Sequence, residues 1–234
     1  MALKEDLSDV PARASSAIFL AALTPADAAA LTSRAMVRRF GRGQALFHEG
    51  QMPDRVVLLR SGRVKVTSTT PTGREVVLAF RGPGELVGEL AAIDDEPRSA
   101  TIVAVEPVEA LTLAPRDFVA FLEEHPSASL ALVRVLSQRL RDADAKRIEF
   151  AALNTLGRVA HRLLELCDRF GDTEDTGTVR IALPLSQEEL AGWTGSSIES
   201  VGRALQTMRA LHWITTRRRE IRVLDVDALR RAAG

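Results

Sequence analysis

The sequence predicts an α+β protein in which a β-rich N-terminal half, one long helix and a C-terminal winged helix-turn-helix follow one another. Short runs rich in Val, Leu and Phe alternate with glycine-containing turns between Val37 and Leu113. Apolar residues then recur at three- and four-residue spacing from Ser127 to about Leu153, a pattern typical of a helix. Two capped helical segments and a basic hairpin follow Leu185. The predicted domains are residues 16–125, 126–153 and 154–234.

Composition is that of a globular chain with enough apolar residues for a core. Of its 234 residues, 46% are hydrophobic and 26% are charged. Lys and Arg together number 31, as do Asp and Glu, so any binding to nucleic acid must rest on a local basic patch. The single Cys167 excludes a disulfide framework and a multi-cysteine metal site within one chain, and we expect no metal. Neither a signal-peptide core nor a membrane-spanning apolar run is present, so we expect a cytoplasmic protein without a membrane partner.

A short helix is predicted ahead of the β-rich region. Thr24 is a favourable N-cap, Pro25 suits the first helical position, and Asp27 places an acid in the first turn. The β-rich runs that follow are separated by turns such as Ser61-Gly62 and Pro71-Thr72-Gly73. Many short strands with glycine turns indicate a sandwich or a barrel.

The stretch from Gly84 to Thr101, G-E-L-V-G-E-L-A-A-I-D-D-E-P-R-S-A-T, carries the residues with the clearest binding chemistry. Gly82, Pro83 and Gly84 predict a turn, and a short helical segment is predicted to open at Val87–Leu90. A helix start behind glycines has free backbone N–H groups at its first turn. Arg98 and Ser99 add charged and hydroxyl donors that suit a phosphate, and Glu89 can accept hydrogen bonds from sugar hydroxyls. These residues predict a pocket for a nucleotide that carries a ribose. They would equally fit a hairpin loop with a surface salt bridge between Glu89 and Arg98.

The long helix carries a narrow apolar seam with charged residues on its other faces. A 3.5-residue period favours a parallel two-stranded coil, so we predict a homodimer helix. Packing of the seam against the β-rich domain would also bury it. The predicted interface consists of Val133, Leu136, Leu140 and Ala143.

The C-terminal part begins with a predicted hinge at Asn154–Gly157, followed by a helix that ends near Phe170. Residues 171–178 are rich in Asp, Thr and Gly and are predicted to form a flexible loop before a strand at Val179–Ile181.

Two capping boxes, at Ser186 and Ser196, open two short helices around Gly195. This arrangement predicts a helix-turn-helix, although the spacing would fit any helix pair in an α-bundle. A hairpin at Thr215–Val223 follows and favours a winged helix; an exposed hairpin of solvated charges is the alternative. The basic residues of its turn, which suit contacts to phosphates, are Arg217, Arg218 and Arg219.

Gly88-Glu89-Leu90 followed by Arg98-Ser99-Ala100 resembles the phosphate-binding cassette of the cyclic AMP receptor protein family, also called the Crp–Fnr family of bacterial transcription regulators. The resemblance extends from about Phe19 to Leu224 and implies a double-stranded β-roll with cyclic AMP as the allosteric effector. It implies that Arg98 and Ser99 bind the cyclic phosphate and that Glu89 binds the ribose 2′-hydroxyl. Gly88 and Leu90 belong to the same implied site.

The resemblance also places Arg139 over the ligand pocket, facing Glu89, although a solvated position flanking the seam would suit Arg139 as well. The family's type member has Thr and Ser near the adenine, where this chain has Ala143 and Asp144. Asp144 can accept a hydrogen bond from an adenine amino group, whereas the Ala143 side chain offers none.

In the second helix of the motif, Ser197, Glu199, Ser200 and Arg203 match the family's S-x-E-[TS]-V-x-R pattern. Arg203 can bind a guanine edge and Glu199 can accept from a cytosine amino group. Ile198 departs from the family, in which many members carry Arg at this position. Gln187, at the start of the first helix, is expected to contact a backbone phosphate.

The resemblance implies a homodimeric, cyclic-AMP-responsive regulator of double-stranded DNA with an inverted-repeat operator, and RNA polymerase is its expected further partner. A first alternative is a family regulator with another effector, such as cyclic di-GMP, haem or an organic molecule, or with none. A second is a cyclic-nucleotide-binding subunit that controls an enzyme. The sequence contains no Walker loop, Ser–His–Asp signal or paired-carboxylate site, so we do not expect an enzyme.

Overall fold

The computed structural model describes residues 18–174, 177–181, 183, 185–217 and 220–234. Two compact units are present, the first comprising the chain up to Thr69 together with Leu78–Arg141, and the second comprising Thr70–Val77 and Asp142–Gly234. The division falls inside the long helix, between Arg141 and Asp142, whereas we expected the whole helix to be a segment of its own.

The β-rich half of the chain forms two four-stranded sheets with strand orders β1-β8-β3-β6 and β2-β7-β4-β5. Antiparallel pairing joins β3 to β8 in the first sheet and β4 to β7 in the second. The strands are β1 (Met36–Phe40), β2 (Ala45–Phe47), β3 (Val56–Ser61), β4 (Val64–Thr69), β5 (Glu75–Arg81), β6 (Leu86–Val87), β7 (Thr101–Ala104) and β8 (Val108–Leu113).

Strand β3 is buried on both faces, which explains its uninterrupted apolar run. Val57 and Leu59 belong to the cluster between the two sheets. Val56 and Leu58 belong to a second cluster, in which the outer face of the first sheet is covered by helices. A strand with two buried faces cannot alternate apolar and polar residues, so its sequence reads V-V-L-L.

Helices surround the first sheet and share its second apolar cluster, to which Phe19, Leu31, Phe118, Leu132 and Val135 contribute. These helices are α1 (Phe19–Ala22), α2 (Pro25–Ser33), α3 (Glu89–Asp94), α4 (Pro115–Glu124) and α5 (Pro126–Ala152).

Asp27 ties α2 to the junction of α4 and α5. Its carboxylate accepts hydrogen bonds from the hydroxyls of Thr24 (2.8 Å) and Ser127 (2.7 Å), and lies 2.9 Å from Nδ1 of His125. The side chain is buried, so these partners compensate for the loss of water around a charged group.

Helix α5 has 27 residues and is therefore about 40 Å long. Its first turns bury Ala128, Ala131, Leu132 and Val135. Of the predicted interface, Val133 (57% exposed) and Leu140 (64%) are exposed, as is Ala143. Leu136 differs from these three because it is partly buried and packs against the apolar cluster of its own unit.

The second unit contains four helices and four strands among its described residues. The sheet has the order β11-β12-β10-β9. Its elements are α6 (Thr155–Phe170), β9 (Gly171–Thr173), β10 (Val179–Ile181), α7 (Gln187–Thr194), α8 (Ile198–Ala210), β11 (Ile214–Arg217), β12 (Glu220–Val223) and α9 (Val226–Ala233), with the end of α5 preceding them.

Two local predictions need correction, and one helix was not predicted. Gly171–Thr173 is not loop but strand β9, because it pairs with β10. The cap of α8 is Ser197 rather than Ser196: the Ser197 hydroxyl accepts from the N–H of Ser200, and Ser200 rather than Glu199 occupies the third helical position, where a capping box needs Glu or Gln. Helix α9 was not predicted, although Asp225 caps it through the N–H of Ala228 (2.8 Å).

Cys167 is a partly buried residue of α6. Burial, followed by the charge of Asp168, raises the pKa of its thiol to about 12, so the reactive thiolate is scarce at neutral pH. Within the described ranges, no group of three or more His, Cys, Asp or Glu residues could hold a metal ion. No helix in the described part of the chain is long and apolar enough to cross a membrane.

The Asp27 network leads to a prediction about acid stability. Hydrogen bonds from Ser127 and then Thr24 lower the pKa of Asp27 below its ordinary 3.8, against the effect of burial. A depressed folded pKa stabilises the protein above pH 3.8, and this contribution is lost as the pH falls through the folded value. Asp27→Asn should therefore melt at a lower temperature than wild type at pH 7, with the difference shrinking at pH 3.

Thermal unfolding followed by circular dichroism at the two pH values measures this difference. Asp227→Asn, on the exposed face of α9, is the control and should leave the melting temperature unchanged. A difference between Asp27→Asn and wild type that is equal at both pH values would contradict the prediction.

Candidate functional site

The loop from β6 to β7 is shaped around Gly88. Gly88 has φ 80° and precedes α3, a conformation that residues with a Cβ rarely adopt. A Cβ at this position would lie 2.6 Å from Nη1 of Arg98 and 2.9 Å from Cζ of Phe47. Glycine is therefore required both by the turn and by the approach of Arg98 to the backbone.

Arg98 is held by backbone contacts and by its own side chain. Its N–H donates to the carbonyl of Gln51 (2.8 Å), and its carbonyl accepts from the N–H of Gly50 (2.8 Å). The guanidinium donates to the carbonyls of Gly88 (2.8 Å) and Arg55 (2.5 Å). Only 2% of the residue is exposed, so the cation lies inside the protein with its orientation fixed.

Asp54 and Phe47 complete the surroundings of the Arg98 guanidinium. The carboxylate of Asp54 lies 3.2 Å from Nη2, and the guanidinium carbon lies 4.1 Å from the centre of the Phe47 ring. Burial lowers the pKa of Arg98, and the contact with Asp54 opposes this effect. Burial acts to raise the pKa of Asp54, but Arg55 and then Arg98 outweigh it, so this pKa is lowered.

Glu89, the first residue of α3, is 3% exposed and forms an ion pair with Arg139 of α5. Arg139 Nη1 lies 2.7 Å from Glu89 Oε1, and Nη2 donates to the carbonyl of Leu86 (2.7 Å). The expectation that Arg139 faces Glu89 is thus confirmed. The pair joins α5 to both ends of the short loop that carries Gly88.

Two N–H donors of this site have no hydrogen-bond acceptor among the residues described. They belong to the buried Nε atoms of Arg98 and Arg139. Buried polar groups in native structures nearly always have partners, so such exceptions call for an explanation. Ser99 and Leu90 are exposed beside these buried charges. The arrangement offers cationic donors, a hydroxyl and a carboxylate to a small anionic ligand.

The helix-turn-helix lies in the second unit and is built by local signals. Ser186 and Glu189 form a capping box at α7, and Gly195 ends that helix at φ 58°. Helix α8 buries one face, made of Val201, Ala204, Leu205 and Met208.

The opposite face of α8 is exposed and polar. Glu199 and Arg203 are exposed one turn apart, with Ser200 partly exposed and Ile198 48% exposed beside them. The hydroxyl of Ser197 first, and the charge of Arg203 last, lower the pKa of Glu199. Arg203 Nη2 donates to the Ser200 hydroxyl (2.9 Å). The face therefore carries a carboxylate acceptor and a guanidinium donor, the groups that read base edges.

The other candidate residues have the following positions. Gln187 is exposed at the start of α7, with Oε1 3.4 Å from the site of a Cβ on Gly202 in α8. Arg217 is exposed at the end of β11, and Arg218 and Arg219 lie outside the described residues. Ala143 and Asp144 are exposed on α5.

Sequence reasoning missed four residues of interest. Phe47, Asp54 and Arg55 surround Arg98, but they precede it by more than 40 residues and belong to no local motif. Gln206 is exposed on α8 and continues the outward stripe of Glu199 and Arg203. Its spacing of seven residues from Glu199 was a usable signal, because it corresponds to two helical turns.

Two family models match the chain. A cyclic nucleotide-binding domain model matches residues 37–125, and a Crp-like helix-turn-helix domain model matches residues 157–232. The first match contains Gly88, Glu89, Arg98 and Ser99; the second contains the capped helices and the hairpin.

The relatives are transcription regulators, and neither family model describes an enzyme. The chain is 34% identical over 209 residues, 89% of its length and 93% of the relative, to a CRP-like cAMP-activated global transcriptional regulator of Mycobacterium tuberculosis. It is 33% identical to the cyclic AMP receptor protein of Thermus thermophilus, over 73% of this chain and 76% of that protein.

Among solved structures, a CRP-family transcriptional regulator of Thermus thermophilus is 29% identical with a TM-score of 0.72. The match covers 84% of this chain and 96% of that one. The two matched domains, their order, and the extent and identity of these similarities lead to one conclusion: this chain belongs to the Crp–Fnr family of bacterial transcription regulators.

Proposed function

We propose that this chain is a cyclic-AMP-responsive, homodimeric transcription regulator that is not an enzyme, in which a ligand at Glu89 and Arg98 controls operator binding by α8. The observation that carries the proposal is the buried Arg98 guanidinium, which Gly88 holds next to an ion pair of Glu89 and Arg139. The cyclic nucleotide-binding domain model matches residues 37–125, which include Gly88, Glu89 and Arg98, and this match supports a cyclic nucleotide as the effector. DNA as the partner implies a cytoplasmic protein.

The chemistry of the site supports cyclic AMP. A cyclic phosphate would receive donors from Arg98 and Ser99, and the ribose 2′-hydroxyl would donate to Glu89. The Mycobacterium tuberculosis relative is named as cAMP-activated. The base selectivity of the site needs a test of its own, because the Ala143 side chain cannot form a hydrogen bond to a base and only Asp144 could. Calorimetric titration should therefore compare cyclic AMP with cyclic GMP and cyclic di-GMP.

Helix-turn-helix regulators of this family bind DNA and typically dimerise. A dimer with two-fold symmetry would read an inverted-repeat operator, with half-sites about 10 base pairs apart. Glu199 and Arg203 would contact base edges and Gln187 and Arg217 would contact phosphates, as their exposure permits. RNA polymerase is the partner through which a DNA-bound regulator would act on transcription.

The exposed apolar residues of α5 support the dimer. Val133 and Leu140 lie seven residues apart and are both more than half exposed in one chain. A second copy of α5 would remove them from water, with a gain of about 25 cal/mol per Å² of apolar surface.

The first prediction concerns the effector. Arg98→Ala should weaken cyclic AMP binding about ten- to a hundredfold, since a charge-assisted hydrogen bond contributes about 1.5–3 kcal/mol. Calorimetric titration measures the affinity, and cyclic AMP should bind wild type more tightly than cyclic GMP or cyclic di-GMP does. Wild-type affinity in the variant would contradict the assignment.

Arg39→Ala is the matched control, because the Arg39 side chain is 82% exposed and pairs with Glu109 on the surface. Because Arg98 also supports its own loop, Ser99→Ala provides a second test at an exposed position. Thermal unfolding verifies that each variant is folded.

The second prediction concerns the dimer. Val133→Glu combined with Leu140→Glu should dissociate it, because charges would enter an apolar contact. Sedimentation velocity should then report a monomer. Leu136 is left unchanged because it also packs inside its own unit. Arg134→Glu with Arg141→Glu, on the polar face of α5, is the control, and a dimer that survives the first pair of changes would rule out this seam.

The third prediction concerns operator reading. Arg203→Ala should cost about 1–3 kcal/mol per half-site on the preferred operator and relax the base preference at one position. Arg217→Ala should weaken all sequences nearly alike and reduce the salt dependence by about one unit of slope. Fluorescence anisotropy with operators selected from a random pool separates the two effects. Equal behaviour of both variants would show that Arg203 does not face the bases.

A further inference from the structure

The turn of the helix-turn-helix is bound to the end of α5 by one guanidinium. Arg158, in the first turn of α6, donates through Nε to the carbonyl of Thr194 (2.8 Å). Nη1 donates to the carbonyl of Leu153 (2.7 Å), directly after α5, and Nη2 lies 3.1 Å from the hydroxyl of Ser196. One planar cation thus connects the end of α5 with both sides of the turn before α8.

Phe150, in the last turn of α5, strengthens this connection. The guanidinium carbon of Arg158 lies 5.6 Å from the centre of its ring. A Cβ at Gly195 would lie 2.6 Å from Cε1 of Phe150, so the ring rests directly against the turn. Gly195 is needed here for a second reason besides its φ of 58°.

The preceding residue of α5 makes an independent connection to the same domain. Glu149 pairs with Arg162 of α6, which also donates to Glu165 (2.6 Å) and is only 3% exposed. The Arg162 guanidinium lies 5.5 Å from the centre of the Trp193 ring in α7. Adjacent residues of α5 are therefore attached to the first helix of the motif and to its turn.

From these contacts we infer that Arg158 is a positioning residue that carries movement of the C-terminal end of α5 to the N-terminus of α8. We predicted a hinge at Asn154–Gly157, but Thr155–Gly157 already belongs to α6 and Asn154 is its N-cap. The contact of Arg158 with the Leu153 carbonyl spans this segment. The last turns of α5 and the helix-turn-helix accordingly move as one body, in agreement with the division of the chain between Arg141 and Asp142. A ligand-induced change in α5 would reach Ser197, the cap of α8, through the turn that Arg158 holds.

The inference rests on the proposed function, since it describes how an effector would control operator binding. It requires the geometry of arginine: lysine carries the same charge but cannot reach three acceptors in one plane. A role in stability alone would lower the unfolding temperature without changing the dependence of DNA binding on the effector.

The test compares full-length wild type with Arg158→Ala, Arg158→Lys and Phe150→Ala. Operator affinity is measured by anisotropy with and without cyclic AMP, and cyclic AMP affinity is measured by calorimetry without DNA. The measured quantity is the operator affinity with cyclic AMP divided by the operator affinity without it. In all three variants we expect this ratio to be about tenfold or more lower than in wild type, and therefore closer to one, which is a change typical of allosteric coupling. Cyclic AMP affinity without DNA should stay within about twofold of wild type, as expected of an intact effector site outside this network.

Arg230→Ala is the matched control, because Arg230 is an exposed arginine of α9 that pairs with Asp227. It should retain the wild-type ratio. Phe150 is 47% exposed, so Phe150→Ala tests the connection even where Arg158→Ala fails to fold. A wild-type ratio in folded Arg158→Ala or Phe150→Ala would overturn the inference.

Hydrogen exchange separates failure of this inference from failure of the proposed function. If cyclic AMP has no effect on operator binding by wild type, the proposed effector is refuted. Amide hydrogen exchange would still test whether Arg158 holds the end of α5 and the turn before α8 together. The amides of Leu153 and Ser196 are hydrogen-bonded in α5 and in the turn, respectively. Both should exchange at least about tenfold faster in Arg158→Ala if Arg158 holds the two segments together. Unchanged rates would overturn the inference.

Discussion

The ion pair between Arg139 and Glu89 is the contact on which the shape of the loop around Gly88 depends. It is the point where α5 reaches the loop that carries Gly88, and both side chains are largely withdrawn from water. Removing one partner of a buried pair typically costs about 3–5 kcal/mol, because the other charge is left uncompensated. Arg139 also binds the carbonyl of Leu86, so the loop is held on both sides of Gly88.

Arg98 and Arg158 both donate to backbone carbonyls. Arg98 uses the carbonyls of Gly88 and Arg55, and Arg158 uses those of Leu153 and Thr194. A backbone carbonyl is a neutral acceptor, so these contacts do not compensate the positive charge of the guanidinium as a carboxylate would; Arg98 has one carboxylate, that of Asp54, beside its two carbonyls. The same contacts fix the conformation of the loops that supply the carbonyls. Arginine side chains therefore hold both the loop that carries Gly88 and the turn before α8.

Helix α5 contributes residues to both units of the chain. Arg139 lies on the part of the helix that belongs to the first unit, and Glu149 and Phe150 lie on the part that belongs to the second. The network of Arg158 and Arg162 then extends this connection beyond the end of the helix.

The sequence by itself determined the elements whose signals are local. Glycine turns and apolar runs predicted the β-rich half, the Ser186 capping box predicted α7, and the spacing of Gly88, Glu89 and Arg98 predicted a binding loop. These features depend on residues within about ten positions of each other, where backbone preferences and side-chain reach decide the outcome.

Only the tertiary structure decided the rest, because it depends on contacts between distant parts of the chain. Asp54 meets Arg98 across 44 positions, and strand β9 exists because β10 lies beside it. Leu136 fits the seam of α5 by spacing, yet the helices around the first sheet turn it toward their own cluster. Arg158 carried no signal in the sequence, since its three acceptors come together only when α5, α6 and the turn are packed. A periodic pattern defines which residues share a face, but the neighbour that covers that face is set by the fold.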